Sequence, residues 1–116
     1  MTFESLLLLE RIHGIFSITT DIFIDFDRCF ISVQETEFPL TAREVELLIL
    51  FVKSPHRYHH TSDLAKKVAR TEINYAISEH SIEQTISGLR RKLGEDGKKP
   101  RFLVCRRGIG YGLFPK

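Results

Sequence analysis

The chain of 116 residues is 42% hydrophobic and 28% charged, which is typical of one globular domain and excludes an intrinsically disordered chain. Residues 1–77 hold 8 basic and 11 acidic residues (net −3), whereas residues 78–116 hold 9 and 4 (net +5). This uneven distribution favours a positively charged end that faces nucleic acid. The first apolar run, SLLLLERIHGIF, is too short to span a bilayer and has no basic residues before it, so we expect a cytoplasmic protein.

The first forty residues alternate between apolar and polar side chains in the manner of β-strands. Segments rich in Ile, Phe and Val at a period of two predict strands at Asp21–Asp27 and Cys29–Gln34, with a turn at Asp27–Arg28. Residues 2–20 are compatible with two structures. They predict either a hairpin around His13–Gly14 or a short helix followed by a strand.

From Leu40 the hydrophobic period changes from that of a strand to that of a helix. Thr41 and Glu44 have the spacing of a capping box, in which each residue satisfies a backbone N–H of the other. The apolar stripe that follows predicts a helix over Ala42–Lys53. Pro55 is expected to end it, because the residue before a proline resists helical geometry.

Two further helices are predicted. The second covers Ser62–Ala69, with Thr61 or Ser62 as its N-cap. The third covers Ser81–Leu93, because Ser81 and Gln84 again have capping-box spacing and Gly94 is a typical helix end. Its predicted apolar stripe is Ile82, Ile86, Leu89 and Leu93. At about 100° per residue, the opposite face carries His80, Gln84, Ser87, Gly88 and Arg91, with Arg90 and Lys92 on its flanks.

The C-terminal residues predict a hairpin. Arg101–Arg106 and Tyr111–Phe114 have the pattern of two strands, and RGIG joins them. The order of elements predicts an α+β fold of the winged helix-turn-helix class, with an N-terminal antiparallel sheet, three helices and a C-terminal β-hairpin wing. We expect one domain over residues 1–116, made of a β-rich segment (1–40), a three-helix core (41–93) and the wing (101–114).

Four stretches in this order resemble the DNA-binding effector domain of OmpR/PhoB-type response regulators: PLTAREVELLILFVKSPHR, SDLAKKV, SIEQTISGLRRKLG and RGIGYGLF. The third is also similar to the DNA-binding domain of ToxR/CadC-type regulators. The resemblance implies a sequence-specific, double-stranded DNA-binding transcriptional regulator. Its third helix would enter the major groove and its wing the adjacent minor groove. The resemblance further implies RNA polymerase or another regulator as a partner, and a homodimer on tandem half-sites.

The resemblance also implies roles for individual residues. The DNA-binding positions that it assigns, together with neighbouring positive charges, are His80, Gln84, Thr85, Ser87, Gly88, Arg90, Arg91, Arg106 and Arg107. Further phosphate contacts are expected from His60, Thr61 and Lys92. Ser87 and Gly88 stand where relatives often carry two arginines, so we expect much of the affinity to come from phosphate contacts.

Two features of the chain leave other interpretations open. Because the side chains of Ser87 and Gly88 are short, a second hypothesis stays open: the chain is a winged-helix protein-interaction module that regulates a transcription factor. The sequence given has no receiver domain, so we expect no phosphoacceptor switch of that kind. The segment Arg70–Ser78 corresponds to a loop that contacts RNA polymerase in some relatives, but its apolar composition here favours packing.

Other motifs are interpreted as structural. RGIGYG has no helix after it, so its glycines predict a turn and not a phosphate-binding loop. HRYHH (His56–His60) has no carboxylate or cysteine partner at a helpful spacing, so we expect a loop without a metal or cofactor. Cys29 and Cys105 are expected to be reduced, partly buried thiols. No nucleophile lies beside a recognisable base, so we expect no enzymatic activity.

Overall fold

The computed structural model describes residues 12–69, 77–95 and 100–116. Four strands come first, followed by three helices and a two-stranded hairpin. The elements are β1 (Ile15–Thr19), β2 (Ile22–Asp25), β3 (Phe30–Val33), β4 (Thr36–Pro39), α1 (Ala42–Lys53), α2 (Thr61–Ala69), α3 (Glu79–Leu93), β5 (Leu103–Arg106) and β6 (Gly110–Leu113). None of the helices in these described ranges is long and apolar enough to cross a membrane.

The first four strands form one antiparallel sheet in the order β1-β2-β3-β4. Ile24 pairs with Phe16 on one side and Ile31 on the other, and Ile31 pairs with Phe38, so these four side chains share a face. That face belongs to the hydrophobic core, with Ile24 and Ile31 fully buried. β1 confirms the strand that both hypotheses for residues 2–20 contain, while residues 2–11, on which the two hypotheses differ, lie outside the described ranges.

The turn between β2 and β3 is longer than predicted. Asp25 Oδ1 accepts hydrogen bonds from the backbone N–H groups of Asp27 (3.0 Å) and Arg28 (2.9 Å), which turns the chain after Asp25. Cys29 has a φ of 57°, a conformation that a strand does not adopt. The predicted strands Asp21–Asp27 and Cys29–Gln34 are therefore both too long, because local side-chain bonds override the alternating pattern.

The capping box of α1 is confirmed. Thr41 Oγ1 accepts from the backbone N–H of Glu44 at 3.1 Å, and Glu44 Oε1 accepts from the backbone N–H of Thr41 at 2.9 Å. The helix ends at Lys53, with Ser54 as its C-cap. This agrees with the predicted effect of Pro55.

The predicted caps of α2 and α3 are wrong. α2 begins at Thr61, and the ring nitrogen Nδ1 of His60 accepts from the backbone N–H of Ser62 at 3.2 Å, so an imidazole takes the place expected for a hydroxyl. α3 begins at Glu79, two residues earlier than predicted, because the Ser78 hydroxyl accepts from Ser81 N–H at 3.1 Å. The predicted helix end is confirmed: Gly94 adopts a left-handed φ of 73°.

The three helices and both sheets share one core. The stripe predicted for the third helix is buried, with Ile82, Ile86 and Leu89 at most 1% exposed and Leu93 2% exposed, and Leu48 of α1 is 1% exposed. Phe102, Leu103 and Leu113 join the same cluster, so the hairpin packs on the helical core. The winged-helix architecture predicted from the sequence is therefore confirmed.

Candidate nucleic-acid interface

The wing is built from three segments. β5 and β6 pair antiparallel, with Cys105 opposite Tyr111. The segment at residues 56–59 lies along the other edge of β6, where His59 N donates to Tyr111 O (2.7 Å) and Tyr111 N donates to His59 O (2.9 Å). His56 N donates to Leu113 O at 2.9 Å. HRYHH, predicted as a loop, thus pairs with the wing and fixes it beside the start of α2.

Two glycines allow this close pairing. A Cβ added to Gly110 would lie under 3.0 Å from the backbone carbonyl of His59, and one added to Gly112 would lie equally close to the carbonyl of Arg57. Gly110 also has a φ of 143°, which L side chains rarely adopt. The glycines of RGIGYG therefore have the structural role predicted for them.

One face of α3 is exposed along its length. The residues of this exposed stripe are His80, Gln84, Ser87 and Arg91. They recur every three or four positions, so their side chains lie above one another on the helix surface. The stripe contains every residue of the predicted outer face of the helix except one.

The residue of the predicted outer face that is missing from the stripe is Gly88, which is half-buried and faces the start of α1. A Cβ at Gly88 would lie 3.2 Å from Glu44 Oε2. On the same side, Lys92 Nζ forms an ion pair with Glu44 Oε1 at 2.5 Å and donates to Pro39 O at 2.8 Å. Gly88 therefore sits on the internal side of α3, and Lys92 is engaged there instead of extending into solvent.

Arg90 lies on the opposite flank and contacts the wing. Its Nε donates to Leu103 O at 3.0 Å, and its guanidinium lies 5.7 Å from the centre of the Tyr111 ring. Burial raises the pKa of Tyr111, as does the nearby Cys105. The side chain of Arg90 thus connects α3 to both strands of the wing.

Thr85 is half-buried, and its hydroxyl donates to the backbone carbonyl of Ser81 at 2.9 Å. This bond holds the hydroxyl against the preceding turn of α3. Thr85 is therefore less available to a ligand than the neighbouring Gln84, which is exposed.

A cleft of about 230 Å³ separates the N-terminal half of α3 from the wing. His60 and Thr61 line it from the start of α2, and Arg106 and Arg107 line it from the turn of the wing. Both arginines are exposed. The cleft thus lies between the N-terminal half of α3 on one side and the positive charges of the wing and the N-terminus of α2 on the other.

Two acidic residues on the cleft side of α3 were missing from the sequence-based site. Glu79 and Glu83 line the cleft, and Glu83 lies 3.8 Å from the ring of His80. The helical wheel places Glu83 between the exposed stripe and Arg90 and places Glu79 just beyond Arg90, so the signal was present.

Residues 35–113 match the family described as "Transcriptional regulatory protein, C terminal". The chain belongs to this family. PetR from Rhodobacter capsulatus is 30% identical over 94 residues, which cover 78% of this chain and 40% of PetR. The chain thus spans less than half the length of that relative. The family consists of transcriptional regulators, and nothing in the comparison indicates an enzyme.

Two solved structures share the fold. The DNA-binding domain of Klebsiella pneumoniae RstA, in complex with the RstA box, superposes with a TM-score of 0.70 at 17% identity, covering 90% of this chain and all of that one. The DNA-binding domain of Escherichia coli CadC superposes with a TM-score of 0.72 at 20% identity, covering 91% and 95%. Both resemblances drawn from the sequence are therefore confirmed at the level of fold.

His59 and the two cysteines differ in burial. His59 packs edge-on against Phe51, with ring centres 5.6 Å apart, and burial lowers its pKa. Within residues 12–69, 77–95 and 100–116, no three His, Cys, Asp or Glu side chains are grouped as metal ligands would be. Cys29 is half-buried as predicted, whereas Cys105 is exposed, so that prediction was wrong.

The segment that was compared with a polymerase-contacting loop, Arg70–Ser78, is described only at its end. Residues 70–76 lie outside the described ranges. Ile77 packs against the core and Ser78 caps α3. The apolar packing predicted for this segment is observed at Ile77.

Proposed function

We propose that this domain binds double-stranded DNA sequence-specifically and thereby regulates transcription, with α3 in the major groove and the wing in the adjacent minor groove. One observation carries the proposal: the helix that bears the exposed stripe faces the exposed arginines of the wing, Arg106 and Arg107, across one cleft. An α-helix fits the major groove of B-DNA. With α3 in that groove, the cleft between α3 and the wing would accommodate the sugar–phosphate backbone between the two grooves.

In this arrangement Gln84 and Arg91 are the base-reading side chains. A glutamine amide can pair with both exposed atoms of adenine in the major groove, and an arginine guanidinium can pair with those of guanine. Ser87 lies between them on the stripe and is small, so it allows the helix to approach the base edges closely. His80 extends the same stripe towards the N-terminal end of α3.

Phosphate contacts come from the wing and from the start of α2. Arg106 and Arg107 supply charged donors from the wing. His60 and Thr61 line the cleft at the N-terminus of α2, where the helix dipole favours an anion. These contacts fix the position of the domain on the duplex without reading its sequence.

The structure changes the proposed roles of Arg90, Lys92 and Gly88. Arg90 holds the wing against α3, and Lys92 neutralises the buried Glu44, so we assign both to positioning and not to direct DNA contact. Gly88 allows α3 to pack against Glu44. From the family resemblance we also propose a cytoplasmic location, homodimers on tandem half-sites, and RNA polymerase or another regulator as a partner.

The acidic residues Glu79 and Glu83 favour a second candidate function. Carboxylates beside the cleft repel phosphates and would suit a positively charged protein partner. A winged-helix module of this kind would regulate another transcription factor through the same cleft. The two candidates differ in one simple property, which is measurable affinity for duplex DNA.

Two substitutions distinguish base reading from phosphate contact. The probe is a duplex selected from a random-sequence pool by the wild-type domain, compared with the same duplex shuffled. Gln84→Ala is expected to reduce the preference for the selected duplex by about 1–3 kcal/mol, while Arg107→Ala weakens binding to both duplexes and lowers the log–log salt slope by about one. Fluorescence anisotropy at several salt concentrations measures both effects.

The opposite pattern would contradict these assignments. An unchanged preference in Gln84→Ala would contradict base reading by Gln84. A change in preference without a general loss of affinity in Arg107→Ala would contradict phosphate contact by Arg107. Absence of binding by the wild-type domain to any duplex would support the protein-interaction module.

A further inference from the structure

The wing carries an exposed apolar residue at its tip. Among the described residues, the large hydrophobic side chains that are exposed are Ile15, at 65%, and Ile109, at 47%. Ile15 lies in β1 of the four-stranded sheet, whereas Ile109 lies in the turn between β5 and β6. Ile109 also lines the cleft that faces α3. An apolar side chain thus lies among the charges that are proposed to contact DNA.

The backbone around Ile109 is held in place. Ile109 N donates to Arg106 O at 2.9 Å, which closes a four-residue turn. Gly108 has a φ of 78°, and the close packing of Gly110 against His59 anchors the other side of the turn. The wing therefore presents Ile109 on a fixed turn, so little conformational freedom is lost when the side chain meets a ligand.

The surroundings of Ile109 suit a DNA groove. Arg106 and Arg107 precede it and are exposed, and both line the same cleft. A tip with two positive charges and one branched apolar group matches the chemistry of proteins that bind the minor groove, in which isoleucine is one of the side chains inserted between base steps. Arginines neutralise the flanking phosphates while the apolar group contacts sugars and base edges.

We propose that Ile109 is an apolar wedge that enters the minor groove beside Arg107 and opens a base step, so that the bound duplex is bent. This inference rests on the proposed DNA-binding function. Burial of the exposed Ile109 side chain against the groove supplies affinity without any change of charge. The bend also brings the flanking duplex towards the positive wall of the cleft.

The test measures bending and affinity together. The probe is the selected duplex with a donor and an acceptor fluorophore at its two ends, and the bend is obtained from energy transfer on binding. Wild-type protein is expected to bend it by at least about 20°. Ile109→Ala is expected to lose most of this bend and to weaken binding about tenfold, with the salt slope unchanged because no charge is removed. Ile109→Leu is expected to retain both properties.

Ile15→Ala is the matched control, because it removes the other exposed isoleucine and should leave bend and affinity unchanged. Full bending and full affinity in Ile109→Ala would overturn the wedge while leaving the proposed function intact. A loss of affinity with the bend preserved would also overturn it, since Ile109 would then contribute to binding without opening a base step. No duplex binding by the wild-type domain would overturn both proposals.

Discussion

Gly110→Ala is expected to destabilise the domain by about 4 kcal/mol, a loss comparable to the whole stability of a marginal domain. The new Cβ would collide with the backbone carbonyl of His59, and neither segment can move without breaking their mutual hydrogen bonds with Tyr111. The residue would also have to hold a φ of 143° with a side chain. Urea unfolding followed by circular dichroism measures the change in the free energy of unfolding.

Gly108→Ala is the matched control for this prediction. Gly108 has a positive φ of 78° in the same turn, but nothing lies within 4 Å of the Cβ it would gain. Gly108→Ala should therefore lower the free energy of unfolding only through backbone strain, by about 1–2 kcal/mol. Equal losses in the two variants would show that the close approach to His59 contributes nothing.

Simultaneous replacement of Arg91, Arg106 and Arg107 by alanine is expected to weaken binding to the selected duplex by about 100- to 1000-fold. All three side chains are exposed, so the fold should be preserved. The log–log salt slope should fall by about two, since the variant removes the two phosphate contacts of Arg106 and Arg107 and each contributes about 0.9. Anisotropy titrations at several salt concentrations test both numbers, with circular dichroism as the check of folding.

A control variant separates local contacts from net charge. This control replaces Arg28, Arg101 and Lys116 by alanine, which removes the same number of positive charges from other parts of the surface. Arg101 and Lys116 lie beside the turn between β1 and β2. This control should retain most of the affinity. An equal loss in both triple variants would indicate a general electrostatic attraction and would contradict the proposed interface.

The fold was predictable because its signals are local. Thr41 and Glu44, three residues apart, each accept a hydrogen bond from the backbone N–H group of the other. The change of hydrophobic period at Leu40 reflects which side chains must be buried. The start of α3 was misplaced because Ser78 and Ser81 have the same chemistry. Only the backbone path decides which of the two hydroxyls meets a free N–H group.

The site was less predictable because it depends on contacts between distant residues. A helical wheel places Gly88 outside, but Glu44 is 44 residues away in the chain and occupies the space beside it. In the same way, the bond from Arg90 to Leu103 cannot be derived from the local pattern of α3. The exposed stripe was predicted because exposure on a helix follows from periodicity alone.

The most direct test of the proposed function is the affinity of the wild-type domain for the selected duplex and its shuffled counterpart, measured at two salt concentrations. We expect a preference of at least about 100-fold for the selected duplex, somewhat below the range of complete regulators. We also expect a log–log salt slope near −3, from about three phosphate contacts at the wing and the start of α2. Equal affinity for the two duplexes, or no binding at low salt, would contradict sequence-specific recognition of DNA by this domain.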